Sequence, residues 1–152
     1  MDKVTKFLLD KPKPFLKAKK TSAQSISTTP TYLTFDSVDI VGNSYFTVNS
    51  AGDTITINKS GRYRIDAHCG YSGDTTGTWR LLSVEISSIT SNEWPNDHRN
   101  PTDNSGYGDR LKTNGTFELI KGTTIKVKTT HSATSSINTT SYQVKLDILK
   151  VG

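Results

Sequence analysis

Residues 60 to 70, SGRYRIDAHCG, decide the fold class of this chain. Apolar residues alternate there with charged ones over eight positions: Arg62, Tyr63, Arg64, Ile65, Asp66, Ala67, His68 and Cys69. A period of two is typical of a β-strand that packs one face on a core and exposes the other. Gly61 supplies the turn before it. The stretch therefore predicts a long, half-buried strand.

Similar segments continue to the end of the sequence. We predict further strands in TYLTF (31–35), SYFTV (44–48), TITI (54–57), TWRLLSVEI (78–86), TFELI (116–120), TIKVKTT (124–130) and SYQVKLDILKV (141–151). The composition agrees, because 23 Thr and 17 Ser accompany only 32% hydrophobic residues, which favours half-solvated strands over helices. We expect an all-β domain without a helix in its body.

The net charge of +5 is confined to the first twenty residues. Seven lysines lie there against two aspartates: Lys3, Lys6, Lys11, Lys13, Lys17, Lys19 and Lys20. The other 132 residues carry as many acidic as basic side chains. A nucleic-acid partner would favour Arg and evenly spaced aromatic residues, neither of which this segment has, so we predict no nucleic-acid binding.

This basic N-terminal segment is predicted to be an extended, flexible arm. Pro12 and Pro14 remove backbone donors and favour extended geometry in the residues before them. TSAQSISTTPT, residues 21–31, reads as a polar linker. We therefore place a basic anchoring arm and linker at residues 1–29 and the β domain at residues 30–152.

The order of these segments resembles the jelly-roll head module of the C1q and tumour-necrosis-factor superfamily. The resemblance lies in ITINKSGRYRIDAHCGY, in NGTFELIKGTTIKVKT, in the closing SYQVKLDILKVG and in the opening PTYLTFDSVD. It implies a jelly-roll β-sandwich over residues 30–152 and assembly as a homotrimer. No collagen-like Gly-x-y stalk and no signal-peptide core precede the module, so it is more similar to the versions found in bacteriophage structural proteins.

Two groups of residues are candidates for function. The arm is predicted to dock on a major capsid protein or another virion protein, through apolar anchors and lysines that meet an acidic surface: Lys3, Lys6, Phe7, Leu8, Leu9, Lys11, Lys13, Phe15, Leu16, Lys17, Lys19 and Lys20. A solubilising tag is the alternative for this segment. The loop 90–109 is the second candidate, a recognition tip for a sugar or protein with Trp94, His98, Arg99 and Tyr107.

Catalysis is not expected. The chain lacks the Gly-x-Ser-x-Gly, His-Glu-x-x-His and phosphate-loop motifs, and its single Cys69 excludes a cysteine-rich zinc site. Oxygen atoms of Asp97, Asp103, Asn104 and Asp109 offer Ca²⁺ ligands without EF-hand spacing, so we predict neither a metal nor a cofactor. No segment is apolar enough to span a membrane.

These observations lead to one hypothesis and one alternative. The hypothesis is a non-catalytic capsid decoration, or cement, protein of a bacteriophage, assembled in the host cytoplasm and displayed on the virion. The alternative is a receptor-binding knob at a tail tip or head fibre, whose 90–109 loop recognises a host glycan or protein.

Overall fold

The computed structural model describes residues 12–72, 76–100 and 110–152. These residues form thirteen β-strands and one short 3-10 turn at Ser91–Glu93. The strands are β1 (Phe15–Lys20), β2 (Ser25–Ile26), β3 (Thr31–Tyr32), β4 (Ser37–Val41), β5 (Phe46–Val48), β6 (Ile55–Ile57), β7 (Gly61–Gly70), β8 (Arg80–Ile86), β9 (Asn96–Arg99), β10 (Arg110–Leu119), β11 (Thr124–His131), β12 (Ile137–Asn138) and β13 (Val144–Lys150). No α-helix occurs within the described ranges.

Five strands form one antiparallel sheet in the order β10-β7-β13-β1-β4. Its long strand β7 is the predicted alternating stretch, and its apolar side chains are all fully buried or nearly so. β10 pairs with β7 over ten positions, from Arg110 opposite Gly70 to Leu119 opposite Gly61. The sequence pattern therefore predicted both the strand and the side that faces the core.

The second sheet has the order β5-β6-β11-β8-β9, with β3 also pairing with β11. A small ladder of β2 and β12 lies apart from both sheets. The inward side chains of the two large sheets form one core, to which Ile65, Leu82, Val127 and Ile148 belong. Since a fully buried Leu or Ile contributes about 1.5–3 kcal/mol, this core holds the sandwich together.

Strand β1 corrects the predicted domain boundary. Residues 15–20 are not part of a flexible arm, because β1 lies inside the first sheet between β13 and β4. Phe15 lies opposite both Leu149 and Val41 in the two ladders. The jelly-roll domain thus begins at β1 and not at residue 30.

The sandwich has two distinct ends. At the end we call proximal, the backbone N–H of Lys150 donates to the carbonyl of Pro14 at 2.9 Å, so the N-terminal segment enters next to the C-terminus. The opposite, distal end is marked by the strand ends Gly70, Arg80, Arg99, Arg110, His131 and Val144. The N-terminal segment therefore enters at the end opposite these strand ends.

Candidate functional site: the outer faces of the two sheets

Strand β1 divides the predicted arm residues between the core and the surface. Leu16 is completely buried and therefore cannot anchor a partner protein, which corrects that prediction. Lys20 donates to the Thr34 hydroxyl at 2.9 Å and lies 3.8 Å from Asp36. Lys17 and Lys19 project to the surface. Six of the predicted arm residues lie outside the described residues: Lys3, Lys6, Phe7, Leu8, Leu9 and Lys11.

Trp94, the centre of the predicted recognition loop, is fixed by hydrogen bonds and packing within the chain. Its indole N–H donates to the carbonyls of Ile86 and Ile89, each at 3.1 Å. The ring packs partly buried against the core, and the Nζ atom of Lys128 lies 5.4 Å from its centroid. These contacts give Trp94 a structural role in holding the connection that follows β8.

The other predicted loop residues separate from Trp94. His98 lies in β9 opposite Leu81, with its ring centroid 5.9 Å from that of Trp79. Arg99 donates from Nε to Asp97 at 2.8 Å. Asp97 also accepts the backbone N–H of Lys112 at 2.9 Å. Tyr107 and the candidate Ca²⁺ ligands Asp103, Asn104 and Asp109 lie outside the described residues.

The outer face of the second sheet, the six-stranded face, carries a closed network. Glu85 accepts the phenol O–H of Tyr32 at 2.9 Å and lies 3.5 Å from Nζ of Lys128. The pKa of Tyr32 is raised, first by this hydrogen bond to Glu85 and then by burial. The Nζ atom of Lys126 lies 4.5 Å from the Tyr32 ring centroid. Each charge on this network already has a partner within the chain.

The outer face of the first sheet, the five-stranded face, is different. Register places four basic side chains directly opposite one another on adjacent strands, which we call the basic row: Lys19, Lys145, His68 and Lys112. Adjacent strands lie about 4.8 Å apart, so the row extends across about 14 Å of the sheet. Like charges placed directly opposite each other destabilise a sheet. The fold therefore tolerates unfavourable electrostatic repulsion at this row.

A second row, two residues nearer the proximal end, is acidic. Asp39, Asp147 and Asp66 lie there, with Lys17 between the first two. Asp66 accepts from Nε of Arg64 at 3.0 Å. By contrast, none of the lysines of the basic row forms an ion pair with a carboxylate of the described residues. The lysines of the basic row are thus not neutralised by an ion pair among the described residues, whereas Arg64 is.

An apolar strip lies at the proximal end of the same face. Val41, Phe15 and Leu149 follow one another across three strands. Leu149 is 36% exposed, and the other two side chains are half-buried. The five-stranded face therefore changes from apolar to acidic to basic between its proximal and distal ends.

Beyond the basic row, a groove of about 280 Å³ opens at the distal end. Arg99, Arg110 and Lys112 line it together with Gly70 and Gln143. No carboxylate contributes to its lining among the described residues. We call this feature the distal groove.

His68 belongs to both the basic row and the distal groove. Its pKa is lowered, first because partial burial disfavours the imidazolium and next because of the charge on Lys112. The nearby Asp147 acts in the opposite direction more weakly. Burial first, and then the positive charges of Lys112 and Lys145, therefore disfavour the imidazolium form of His68.

Two groups of the described residues bear on the predictions about a nucleophile and a metal site. Burial raises the pKa of the Cys69 thiol to about 12, so this sulfur is a protonated core group and a poor nucleophile. Within residues 12–72, 76–100 and 110–152, no three His, Cys, Asp or Glu side chains converge as metal ligands. No helix in those ranges is long and apolar enough to cross a membrane.

The basic row was missed in the sequence because its members are distant in the chain. Lys19, His68, Lys112 and Lys145 come from four separate segments, and only strand register brings them together. The signal that could have found β1 is the alternation of Leu16 and Ala18 with Lys17 and Lys19.

Comparison with solved structures places this fold among known ones. No protein-family model matches the sequence, and no curated protein matches it. Murine APRIL, in a crystal structure at pH 5.0, is similar over 92% of this chain and 100% of the other, with a TM-score of 0.66 and 18% identity. A murine APRIL structure at pH 8.0 gives a TM-score of 0.63, also at 18% identity.

A third solved structure, that of Eiger TNF from S. frugiperda, agrees with these. It is similar over 93% of this chain and 94% of the other, with a TM-score of 0.60 and 12% identity. At these identities the likeness shows the fold alone. The chain therefore has the all-β, jelly-roll fold of the tumour-necrosis-factor type that its sequence predicted.

Proposed function

We propose that this chain is a non-catalytic capsid decoration protein of a bacteriophage, attached to the major capsid protein by its N-terminal segment and displayed on the virion surface. The observation that carries this proposal is the polarity of the sandwich. The N-terminal segment enters at the proximal end, and the strand ends Gly70, Arg99, Arg110 and Val144 lie at the distal end. A knob fixed at one end and exposed at the other has this arrangement.

The attachment segment is shorter than the sequence suggested. Because β1 is a strand of the sheet, residues 1–14 are the part that can reach another protein. They include the apolar anchors Phe7, Leu8 and Leu9 and four of the seven lysines. Apolar anchors supply binding energy, and lysines steer the segment toward an acidic capsid surface.

A homotrimer, which the family resemblance implies, would strengthen such an attachment. Three arms on one knob bind with avidity, so that each arm can be weak while the knob stays bound. The apolar strip of Phe15, Val41 and Leu149 is the part of the five-stranded face that suits a contact between copies, since interface cores are depleted in charge. The strip also lies where the arm enters the sheet.

The described chemistry supports a role without catalysis. Cys69 is buried and protonated, and the histidine of the five-stranded face lies among lysines rather than beside a nucleophile. The protein would therefore act mechanically: the arm holds the knob on the capsid, and the knob covers the shell.

The test counts copies of the chain relative to the major capsid protein, by quantitative mass spectrometry of purified virions. Hundreds of copies are expected for a decoration protein. A dozen or so would contradict it and favour a fibre or tail knob, and absence from virions would reject both.

A matched pair of variants tests the arm. Deletion of residues 1–12 keeps Pro14, whose carbonyl bonds to Lys150, and should leave the sandwich folded while abolishing rebinding to stripped particles. The control is substitution of Lys59 and Lys121 by Gln, which removes two exposed proximal charges outside the arm. Rebinding by the deletion variant at wild-type affinity would contradict the proposal.

The alternative is a receptor-binding knob, and the distal position of Arg99 and Arg110, the described residues closest to the predicted recognition tip, favours it. Under this proposal the isolated protein should block adsorption of the phage to its host, and deleting residues 101–108 should remove that block. A decoration protein should not compete for adsorption. The copy number and the competition assay together separate the two functions.

A further inference from the structure

We propose that the basic row and the distal groove bind a linear anionic polysaccharide. The site lies on the five-stranded face, apart from both the N-terminal segment and the Trp94 connection. The juxtaposition that carries it is one register line with Lys19 directly opposite Lys145 and with Lys112 beyond His68, continued in the groove by Arg110 and by Arg99, which also pairs with Asp97.

The balance of charge on this face favours an anion. Apart from the Arg62–Glu118 pair, six cations point outward (Lys17, Lys19, Arg64, Arg110, Lys112 and Lys145) against three carboxylates (Asp39, Asp66 and Asp147). The carboxylates lie toward the proximal end, and one of them is paired with Arg64. The cations of the basic row are therefore the ones left for a ligand.

A second copy of the chain fits this face less well. Two such faces brought together would double the excess of three positive charges, and like charges placed against each other oppose association. A polyanion instead neutralises the row and releases counterions, which is favourable. Charge thus selects an external anion as the occupant of the distal half of the face.

The shape of the site favours an extended chain. The row is straight, because it follows one register line across four strands, and it leads into the distal groove. Several lysines along one line suit charged groups that repeat along a polymer. Nucleic acid fits less well, because successive bases need several stacking partners, whereas the row contains no Phe, Tyr or Trp and the single exposed ring of Tyr142 lies beyond it.

Tyr142 provides an independent observation at the same end. It is 56% exposed and, with φ of 62°, is the one non-glycine residue of the described ranges with positive φ. Its N–H donates to the carbonyl of Lys20, and the next residue, Gln143, lines the distal groove. A strained, exposed aromatic residue beside a groove is typical of a binding site, where its ring can contact a sugar.

Dextran sulfate serves as the probe, and uncharged dextran of the same length as its control. We expect binding of dextran sulfate that weakens with salt, and no binding of dextran. Substitution of Lys19, Lys112 and Lys145 by Gln should weaken binding by about tenfold or more and reduce the salt slope by about two, since about 0.7 counterion is released per contact with a flexible polyanion.

The matched control changes the same net charge at the proximal end. Lys13, Lys59 and Lys121 are exposed there, and their substitution by Gln should change the affinity by less than about twofold, because exposed charges beyond a Debye length are screened. Equal losses in both variants would overturn the site and indicate an effect of net charge. Binding of uncharged dextran would overturn the charge argument.

Two further outcomes would replace the proposal. Tighter binding of single-stranded DNA than of dextran sulfate would identify nucleic acid as the partner, and a shift of the row variant's sedimentation in the absence of ligand would identify a second copy. Both experiments use the full chain and do not depend on capsid attachment. A low virion copy number with intact polysaccharide binding would reject the decoration function while leaving this site in place.

Discussion

The two outer faces of the sandwich satisfy their charges in opposite ways. On the six-stranded face, Glu85 bonds to Tyr32 and pairs with Lys128, which also covers Trp94. On the five-stranded face, Lys19 and Lys145 lie opposite each other without a carboxylate partner among the described residues. A closed network stabilises the chain itself, whereas an open row of like charges gains stability only when something else binds.

Whether a surface charge has a partner within the chain indicates a binding surface better than the position of an aromatic residue does. Trp94 lies in the segment that looked most like a recognition loop, yet its polar atom is used inside the chain. The lysines of β1 looked like part of a flexible tail, yet the sheet presents them in a fixed arrangement. The open face is therefore where we expect ligands, and the closed face is where we expect losses of stability.

The largest effect should come from Leu16→Ala, which tests whether β1 belongs to the sheet that forms the open face. Because Leu16 is fully buried, its truncation should lower the free energy of unfolding by about 3 kcal/mol in urea denaturation. Lys17→Ala on the exposed side of the same strand is the control and should cost less than about 0.5 kcal/mol. If Leu16→Ala left the stability unchanged but abolished particle binding, Leu16 would be a docking residue of the arm and not a core residue.

A smaller effect should follow from Trp94→Phe on the closed face. The variant removes the N–H that two carbonyls share while keeping an aromatic ring, so it should destabilise the fold by about 1 kcal/mol. His98→Ala, in the neighbouring exposed strand, should have little effect on unfolding. If Trp94→Phe left stability intact but abolished host adsorption, the closed face would have to be reassigned as the recognition surface.

A gain in stability of about 0.5 kcal/mol is expected for Tyr142→Gly. Left-handed backbone geometry costs a residue with a Cβ about 1 kcal/mol, part of which the added freedom of the unfolded chain offsets. Thermal unfolding measures the change, and Ser141→Gly, at the preceding exposed residue, serves as a control that should not stabilise. A loss of stability in Tyr142→Gly would show that the ring packs on the protein.

The smallest effect concerns the protonation of His68. Its pKa in the folded chain should lie below the ordinary value of 6.5, so the unfolded chain binds the proton more readily. The stability that depends on His68 is therefore present above pH 6.5 and decreases as the pH falls below it. Imidazole NMR titration measures this pKa directly.

Two changes should raise the pKa of His68 and so sharpen the comparison. Lys112→Gln removes a neighbouring positive charge, and bound dextran sulfate adds negative charge beside the imidazolium. Lys126→Gln, on the closed face, should leave it unchanged. If neither Lys112→Gln nor the bound polyanion changed the pKa of His68, the basic row would act neither on His68 nor on the ligand.

Much of the fold could be predicted because alternation is local. In β7, every apolar position of the pattern is buried, and the strands around Leu82, Val127 and Leu146 also follow their sequence patterns. Strand β1 escaped prediction because only Leu16 and Ala18 face the core, between two prolines and a run of lysines. Its partners β4 and β13 lie far along the chain, and a local pattern cannot reveal that pairing.

The candidate site was harder to predict for the same reason. The charged side chains of the basic row lie together only because of the register of four strands. That register depends on pairings between distant segments. Trp94 shows the converse, since its sequence neighbours indicated a loop but its hydrogen bonds to Ile86 and Ile89 required coordinates. Sequence thus predicted the inward residues well and the roles of outward residues poorly.

The position of β1 also determines how the knob would resist force. A pull on residues 1–14 acts along the axis of β1, which is held by six paired residues on the β13 side and five on the β4 side. These ladders would be loaded in shear, so many hydrogen bonds must break together instead of opening one after another. The strand that follows the N-terminal segment is therefore held along both of its edges, so a force applied there meets two ladders at once.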